Sequence, residues 1–216
     1  MARPNCVVVD YGIGNVFSVL RALERLGFSA TLCSDHSKIL ASDRIILPGV
    51  GAFARAASEL RARGLDEVIR TFVATGKPFL GICVGMQLLL DASEEFGLSK
   101  GLGIIPGTVR MISARDNDGS RCRVPLIGWC SVMETYEGAW RDTPFANLRA
   151  ANTFYFVHSF QANVVDPSNR IGAHSLGTSA VTSAVVRDNV LGVQFHPERS
   201  AEAGHQFLDA FMSQTF

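Results

Sequence analysis

A chain of 216 residues that is 47% hydrophobic and 19% charged is long enough to bury the core of one compact domain, and a single domain over 1–216 is expected. Twenty Lys and Arg against 20 Asp and Glu leave no formal net charge, which removes the electrostatic case for a nucleic-acid or anionic-membrane partner. No run reaches the roughly 18 apolar residues of a membrane span, the start carries no apolar leader, and five cysteines without a C-x-x-C pair argue against a disulfide scaffold or metal site, so a reduced, cytoplasmic protein without metal or cofactor is expected.

Along the chain, Cys6–Val9 reads as a buried strand, and Val16–Leu26 carries apolar residues at helical spacing up to Gly27. Ala30–Cys33 and Arg44–Leu47 read as further strands, and Phe53–Ala74 as a long amphipathic helical stretch interrupted at Gly64. Pro78–Ile82 and Val84–Asp91 supply the next strand and helix. Strands separated by helices of this length predict a parallel sheet wrapped on both faces. After Gly101 the runs turn short and β-rich: Val109–Ile112, Thr153–Val157, Ile171–His174, Ala184–Arg187 and Leu191–Phe195, with Asp188-Asn189 as a hairpin turn. They predict an antiparallel extension of the parallel core. Ala201–Met212 closes the chain as a helix with Phe207, Leu208 and Phe211 on one face.

The chemistry centres on Gly81-Ile82-Cys83-Val84-Gly85, between the run Pro78-Phe79-Leu80 and the helical stretch that follows. A cysteine in an apolar segment is ordinarily a small core residue. Here the flanking glycines permit a sharp strand-to-helix turn that projects the side chain from the sheet, as in G-x-S-x-G hydrolases. The helix after it aims free N–H groups at the sulfur, which favours the thiolate that attacks carbonyls. Leu47-Pro48-Gly49-Val50-Gly51-Ala52-Phe53 is a second glycine-rich turn between strand and helix. By itself it is an ordinary βα connection, but at the same sheet edge as Cys83 its N–H groups read as an oxyanion site. Gln194-Phe195-His196-Pro197-Glu198 then supplies a base and an orienting carboxylate. His36, His174 and His205 lack such a context and read as solvent-facing or structural.

These segments resemble the class I, or triad, glutamine amidotransferases. Asp10-Tyr11-Gly12-Ile13-Gly14-Asn15, Ile105-Pro106-Gly107, Gly128-Trp129 and Tyr155-Phe156-Val157-His158-Ser159 are similar, within that class, to the glutaminase subunit of imidazole glycerol phosphate synthase. The resemblance implies a flavodoxin-like, mostly parallel α/β sheet with an antiparallel β extension. It implies Cys83 as nucleophile, His196 as base and acid, and Glu198 as its orienter. Gly49, Val50 and Gly51 would form the oxyanion and glutamine pocket, Gln87 would contact substrate, and the backbone of Ser159 and Phe160 would hold its amino-acid end. It further implies a heterodimer with a cyclase resembling a (β/α)₈ barrel, to which ammonia passes, with Asn15, Trp129, Tyr155 and Arg199 at the interface.

Two features depart from that pattern. Arg199 stands where lysine is usual, which keeps the charge but changes hydrogen-bond geometry. Leu126 and Cys130, in Val124-Pro125-Leu126-Ile127-Gly128-Trp129-Cys130, replace a histidine and an asparagine and are expected beside the partner face. They keep open a rival reading, in which the glutaminase feeds a synthetase that amidinates surface-polysaccharide sugars. A non-catalytic partner-binding scaffold and a cysteine peptidase are the remaining alternatives.

Overall fold

The computed structural model describes residues 4–146, 148 and 152–213; residues 1–3, on which the reading of the chain start partly rests, lie outside them. In chain order the elements are β1 (Cys6–Val9), α1 (Val16–Arg25), β2 (Ala30–Cys33), α2 (His36–Ala41), β3 (Arg44–Gly49), α3 (Phe53–Ala62), α4 (Leu65–Val73), β4 (Phe79–Cys83) and α5 (Val84–Gln87). The second half contains β5 (Leu90–Ser93), β6 (Ser99–Lys100), β7 (Ile105–Met111), β8 (Leu126–Ser131), β9 (Met133–Glu134), β10 (Thr153–His158) and β11 (Phe160–Val164). It closes with β12 (Arg170–Leu176), β13 (Ser179–Arg187), β14 (Val190–Val193) and α6 (Ala201–Ser213).

The main sheet has the order β2-β1-β3-β4-β14-β13-β12-β9. Strands β2 to β14 in that order pair in parallel, and β13, β12 and β9 continue it antiparallel. Strands β1, β3, β4 and β14 are buried throughout, which is why their sequences are continuous apolar runs rather than alternating ones. The chain steps one way from β1 to β2 and the other way from β2 to β3 and β4. Right-handed crossovers therefore put α1 on one face and α2, α3 and α4 on the other. The packing agrees: α1 meets α6, while α2 and α3 both pack on α4. Such a reversal opens a crevice at the carboxyl ends of β1, β3 and β4.

Two expectations are corrected. Val84–Asp91 is not one helix: α5 is a single turn, and Leu90–Ser93 leaves as β5, which pairs in parallel with β7. Leu88-Leu89-Leu90 is apolar on every side, so its periodicity cannot separate a helix from a buried strand. The long-range pairing decides it, with Gly101 so close to Leu90 that a Cβ there would lie 2.1 Å from the Leu90 carbonyl oxygen. The runs at Val109 and Thr153 also do not join the main sheet. β7 lies in a four-stranded sheet of order β11-β7-β5-β6, and β10 pairs only with β8.

Behind the end of β14, Phe154 and Phe195 stack with centroids 4.0 Å apart, and Phe145 and Phe207 meet both edge-on. All four rings are buried. This cluster clamps α6 and β10 onto the segment that carries Gln194 and His196, and so fixes where those two side chains emerge.

Candidate active site

Cys83 ends β4 with φ 55° and ψ −113°, a conformation that a side-chain-bearing residue holds only when its surroundings impose it, at about 1–3 kcal/mol. The glycines on either side explain how the turn is tolerated. A Cβ on Gly81 would lie 2.7 Å from the Gly85 carbonyl oxygen, and one on Gly85 would lie 1.9 Å from that of Leu47. Strand β3 is therefore drawn tightly against the turn, and Gly49 lies in register with Cys83 on the neighbouring strand. The loop Gly49–Gly51 thus sits beside the thiol, with Gly51 at φ 83°.

His196 arrives from the adjacent strand. Its N–H donates to the Tyr155 carbonyl at 2.9 Å, and its carbonyl accepts from Ser200 Oγ at 2.6 Å. The ring Nδ1 lies 2.9 Å from Glu198 Oε1, so Nδ1 carries the proton and Nε2 is the nitrogen open to chemistry. Nε2 is buried and has no hydrogen-bond partner, so it is free to exchange a proton with a substrate. The Glu198 side chain is fully buried, and the same Oε1 accepts from Asn15 Nδ2 at 3.4 Å. Burial alone would push the His196 imidazolium down, but the Cys83 sulfur and the Glu198 carboxylate outweigh it, and His196 is pushed up to about 10. The site thus favours the imidazolium form of His196, held between the Cys83 sulfur and the Glu198 carboxyl group.

Cys83 and His196 line one cavity of about 370 Å³, at the small end of the range for small-molecule sites. Val50, Gly51, Gln87, Ser159 and Phe160 line it too, so the structure gathers these sequence-singled residues around the thiol. Gly49 is buried just behind. Gln87 Nε2 donates to the Phe160 carbonyl at 3.2 Å and to Gln194 Oε1 at 3.0 Å. The Ser159 carbonyl already accepts from Ile112 N–H, and that of Phe160 also meets His158 Nδ1. His158 lines the same cavity; burial pushes it down to about 4, further lowered by His196 against the opposing pull of the Phe160 carbonyl, so it stays neutral.

Sequence reading missed Glu95, which lines the cavity while its Oε2 accepts from the Phe53 N–H at 2.7 Å. The missing signal is physical: Glu95 lies in a turn between β5 and β6, and only the folded chain brings it opposite Cys83. It also missed the roles of Asn15 and Gln194. An N-cap asparagine normally bonds its own helix; Asn15 makes no side-chain cap bond and turns to Glu198 instead.

The other three residues expected at an interface form one surface patch. Trp129 is 52% exposed and meets Tyr155 edge-on at 6.0 Å, across the β8–β10 pair, and the Arg199 guanidinium lies 4.4 Å over the Tyr155 ring. Leu126 and Cys130 are not part of it. Side chains alternate along β8: Ile127 and Trp129 are exposed, while Leu126 and Cys130 are half-buried and pack on the core. The expectation that they lie on the same face as Trp129 is therefore corrected.

Among the described residues no helix is long and apolar enough to cross a membrane. The sequence matches the family profile "Glutamine amidotransferase class-I" over residues 7–215. It is 42% identical over 207 residues to imidazole glycerol phosphate synthase subunit HisH 1 of Legionella pneumophila (strain Lens), covering 95% of this chain and 97% of that one. It is 41% identical over 214 residues to the HisH subunit of Acaryochloris marina, covering 98% and 95%. The fold superimposes on a chain of PurLQS from Thermotoga maritima with a TM-score of 0.68 at 22% identity, covering 97% of this chain and 98% of that one.

Proposed function

The chain belongs to the class-I glutamine amidotransferases, and we propose on that premise that it is the glutaminase subunit of an imidazole glycerol phosphate synthase, releasing ammonia from glutamine for a cyclase partner in histidine biosynthesis. The observation that carries the chemistry is the strained Cys83 elbow sharing a cavity with the buried His196–Glu198 pair.

Glutamine enters with its side-chain amide at Cys83. Glu95, among the described residues the one carboxylate lining the cavity, meets the α-ammonium group, and the Ser159 N–H faces the α-carboxylate. The thiolate adds to the amide carbon, and the oxyanion is received by N–H groups of the Gly49–Gly51 loop and of Val84. The carbon–nitrogen bond breaks as His196 gives its proton to the leaving ammonia, which leaves a thioester on Cys83 and a neutral imidazole. His196 then takes a proton from water, whose oxygen attacks the thioester; glutamate departs and the thiolate–imidazolium pair is restored. The sum is glutamine plus water to glutamate plus ammonia, with no cofactor.

Ammonia released into bulk water at neutral pH would be protonated and lost as a nucleophile. A cyclase seated over the site would receive it directly, and the patch of Trp129, Tyr155 and Arg199 offers aromatic and arginine anchors of the kind that dominate interfaces. The sugar-amidinating alternative drew its support from Leu126 and Cys130, which are half-buried and pack against the core on the side of β8 opposite to Trp129. Mixing this chain with an imidazole glycerol phosphate cyclase is therefore expected to give glutamine-dependent product, with glutamine hydrolysis accelerated when the cyclase holds its nucleotide substrate. Leu126→His with Cys130→Asn should leave cyclase affinity unchanged and lower thermal stability, because it sets polar groups against the core. Absence of any active pair with the cyclase would overturn the assignment.

A further inference from the structure

Gln194 takes no part in the steps above, yet it is wholly buried and lies against the nucleophile. A glutamine in that position is retained only if both ends of its amide are matched. Its Oε1 accepts from Gln87 Nε2 at 3.0 Å, and its Nε2 lies 3.6 Å from Cys83 Sγ. The orientation is determined by the neighbours. Gln87 must turn its NH₂ toward the Phe160 carbonyl at 3.2 Å, the same NH₂ meets Gln194, and Gln194 therefore gives its oxygen to Gln87 and its NH₂ to the sulfur. The backbone holds this arrangement: Val193 pairs with Ile82, and the Gln194 N–H donates to the Ser183 carbonyl at 2.8 Å.

We propose that Gln194 is a further catalytic residue, whose amide N–H stabilises the Cys83 thiolate. The proposal rests on Cys83 being the nucleophile. An N–H donor favours the anion over the thiol, and a neutral donor does so without adding a cation that would compete with His196 for the thiolate. The amide is in place before substrate arrives, so it needs no reorganisation during attack. The chain from the Phe160 carbonyl through Gln87 and Gln194 to the sulfur also ties the wall that receives the substrate's amino-acid end to the atom that attacks its amide.

The test is alkylation of the full-length chain by iodoacetamide across pH, with the rate at Cys83 read by mass spectrometry of its peptide, since Cys33, Cys122 and Cys130 are also partly exposed. Gln194→Met keeps volume without a donor, and Gln194→Glu keeps the acceptor for Gln87 but removes the donor. Both should move the alkylation profile to higher pH and slow reaction at neutral pH about tenfold, Gln194→Glu more than Gln194→Met because it places a carboxylate beside the thiolate. Turnover should fall with them while the glutamine KM changes little. The titratable groups around the sulfur, His196, Tyr11 and Glu95, are untouched in both variants, so the shift in Gln194→Met reports the amide, and the excess in Gln194→Glu reports the added carboxylate. Either variant, folded by circular dichroism and giving the wild-type profile and turnover, would overturn the proposal. If Cys83→Ala itself retained glutaminase activity, the reading of Cys83 would fall first; if Cys83→Ala is inactive and Gln194→Met matches wild type, only the role of Gln194 falls.

Discussion

Cys83→Ala is expected to abolish glutamine-dependent synthesis by the complex, by about 10⁴-fold or more, while ammonia-dependent synthesis by the partner at high ammonium continues at the wild-type rate. Only the source of ammonia is lost, because the substitution removes the sulfur without disturbing the surface patch of Trp129, Tyr155 and Arg199. Alanine must still adopt φ 55° at the elbow, a strain that cysteine bears equally, so stability should change little. Assaying both reactions on one preparation separates the outcomes. Equal loss of both would make Cys83 a structural residue.

His196→Asn should lower glutamine-dependent turnover by about 10²–10⁴-fold, since asparagine keeps some hydrogen bonding but can neither protonate ammonia nor activate water. Glu198→Gln should cost less. Its amide oxygen still accepts from His196 Nδ1 and Asn15, so the geometry survives and only the charge that supports the imidazolium is removed. The sign follows from the site: Glu198 and Cys83 together hold His196 up to about 10 against burial, so loss of the carboxylate charge lets the imidazolium deprotonate at lower pH. The alkaline limb of the Glu198→Gln pH–rate profile should therefore move down in pH. Unchanged turnover in His196→Asn would remove it from the mechanism.

What was legible in the sequence was local. Gly81-Ile82-Cys83-Val84-Gly85 announces a turn because two glycines bracket a cysteine between an apolar run and a helix start, and the structure has Cys83 at that turn. His196 and Glu198 are two residues apart, so their 2.9 Å contact needs only the 3₁₀ turn Pro197–Arg199 that the proline begins. The parallel core was legible because fully buried strands leave continuous apolar runs. What failed depended on distant partners. Glu95 reaches the cavity, and Asn15 reaches Glu198, only once β1, β5 and β14 are assembled. Leu88–Leu90 is apolar all round and carries no period, so the end of α5 and the start of β5 are decided by pairing with β7. Leu126 and Cys130 are the instructive case: once β8 is a strand, two-residue alternation turns both inward, opposite to Trp129.

The central claim is that glutamine hydrolysis passes through a covalent thioester on Cys83. The direct measurement is rapid acid quench of the complex during glutamine turnover, followed by peptide mass spectrometry of the segment containing Cys83. A glutamyl adduct on Cys83, absent from Cys83→Ala, is the predicted result. Continued glutamine hydrolysis by Cys83→Ala, or an adduct on another residue in its place, would contradict it.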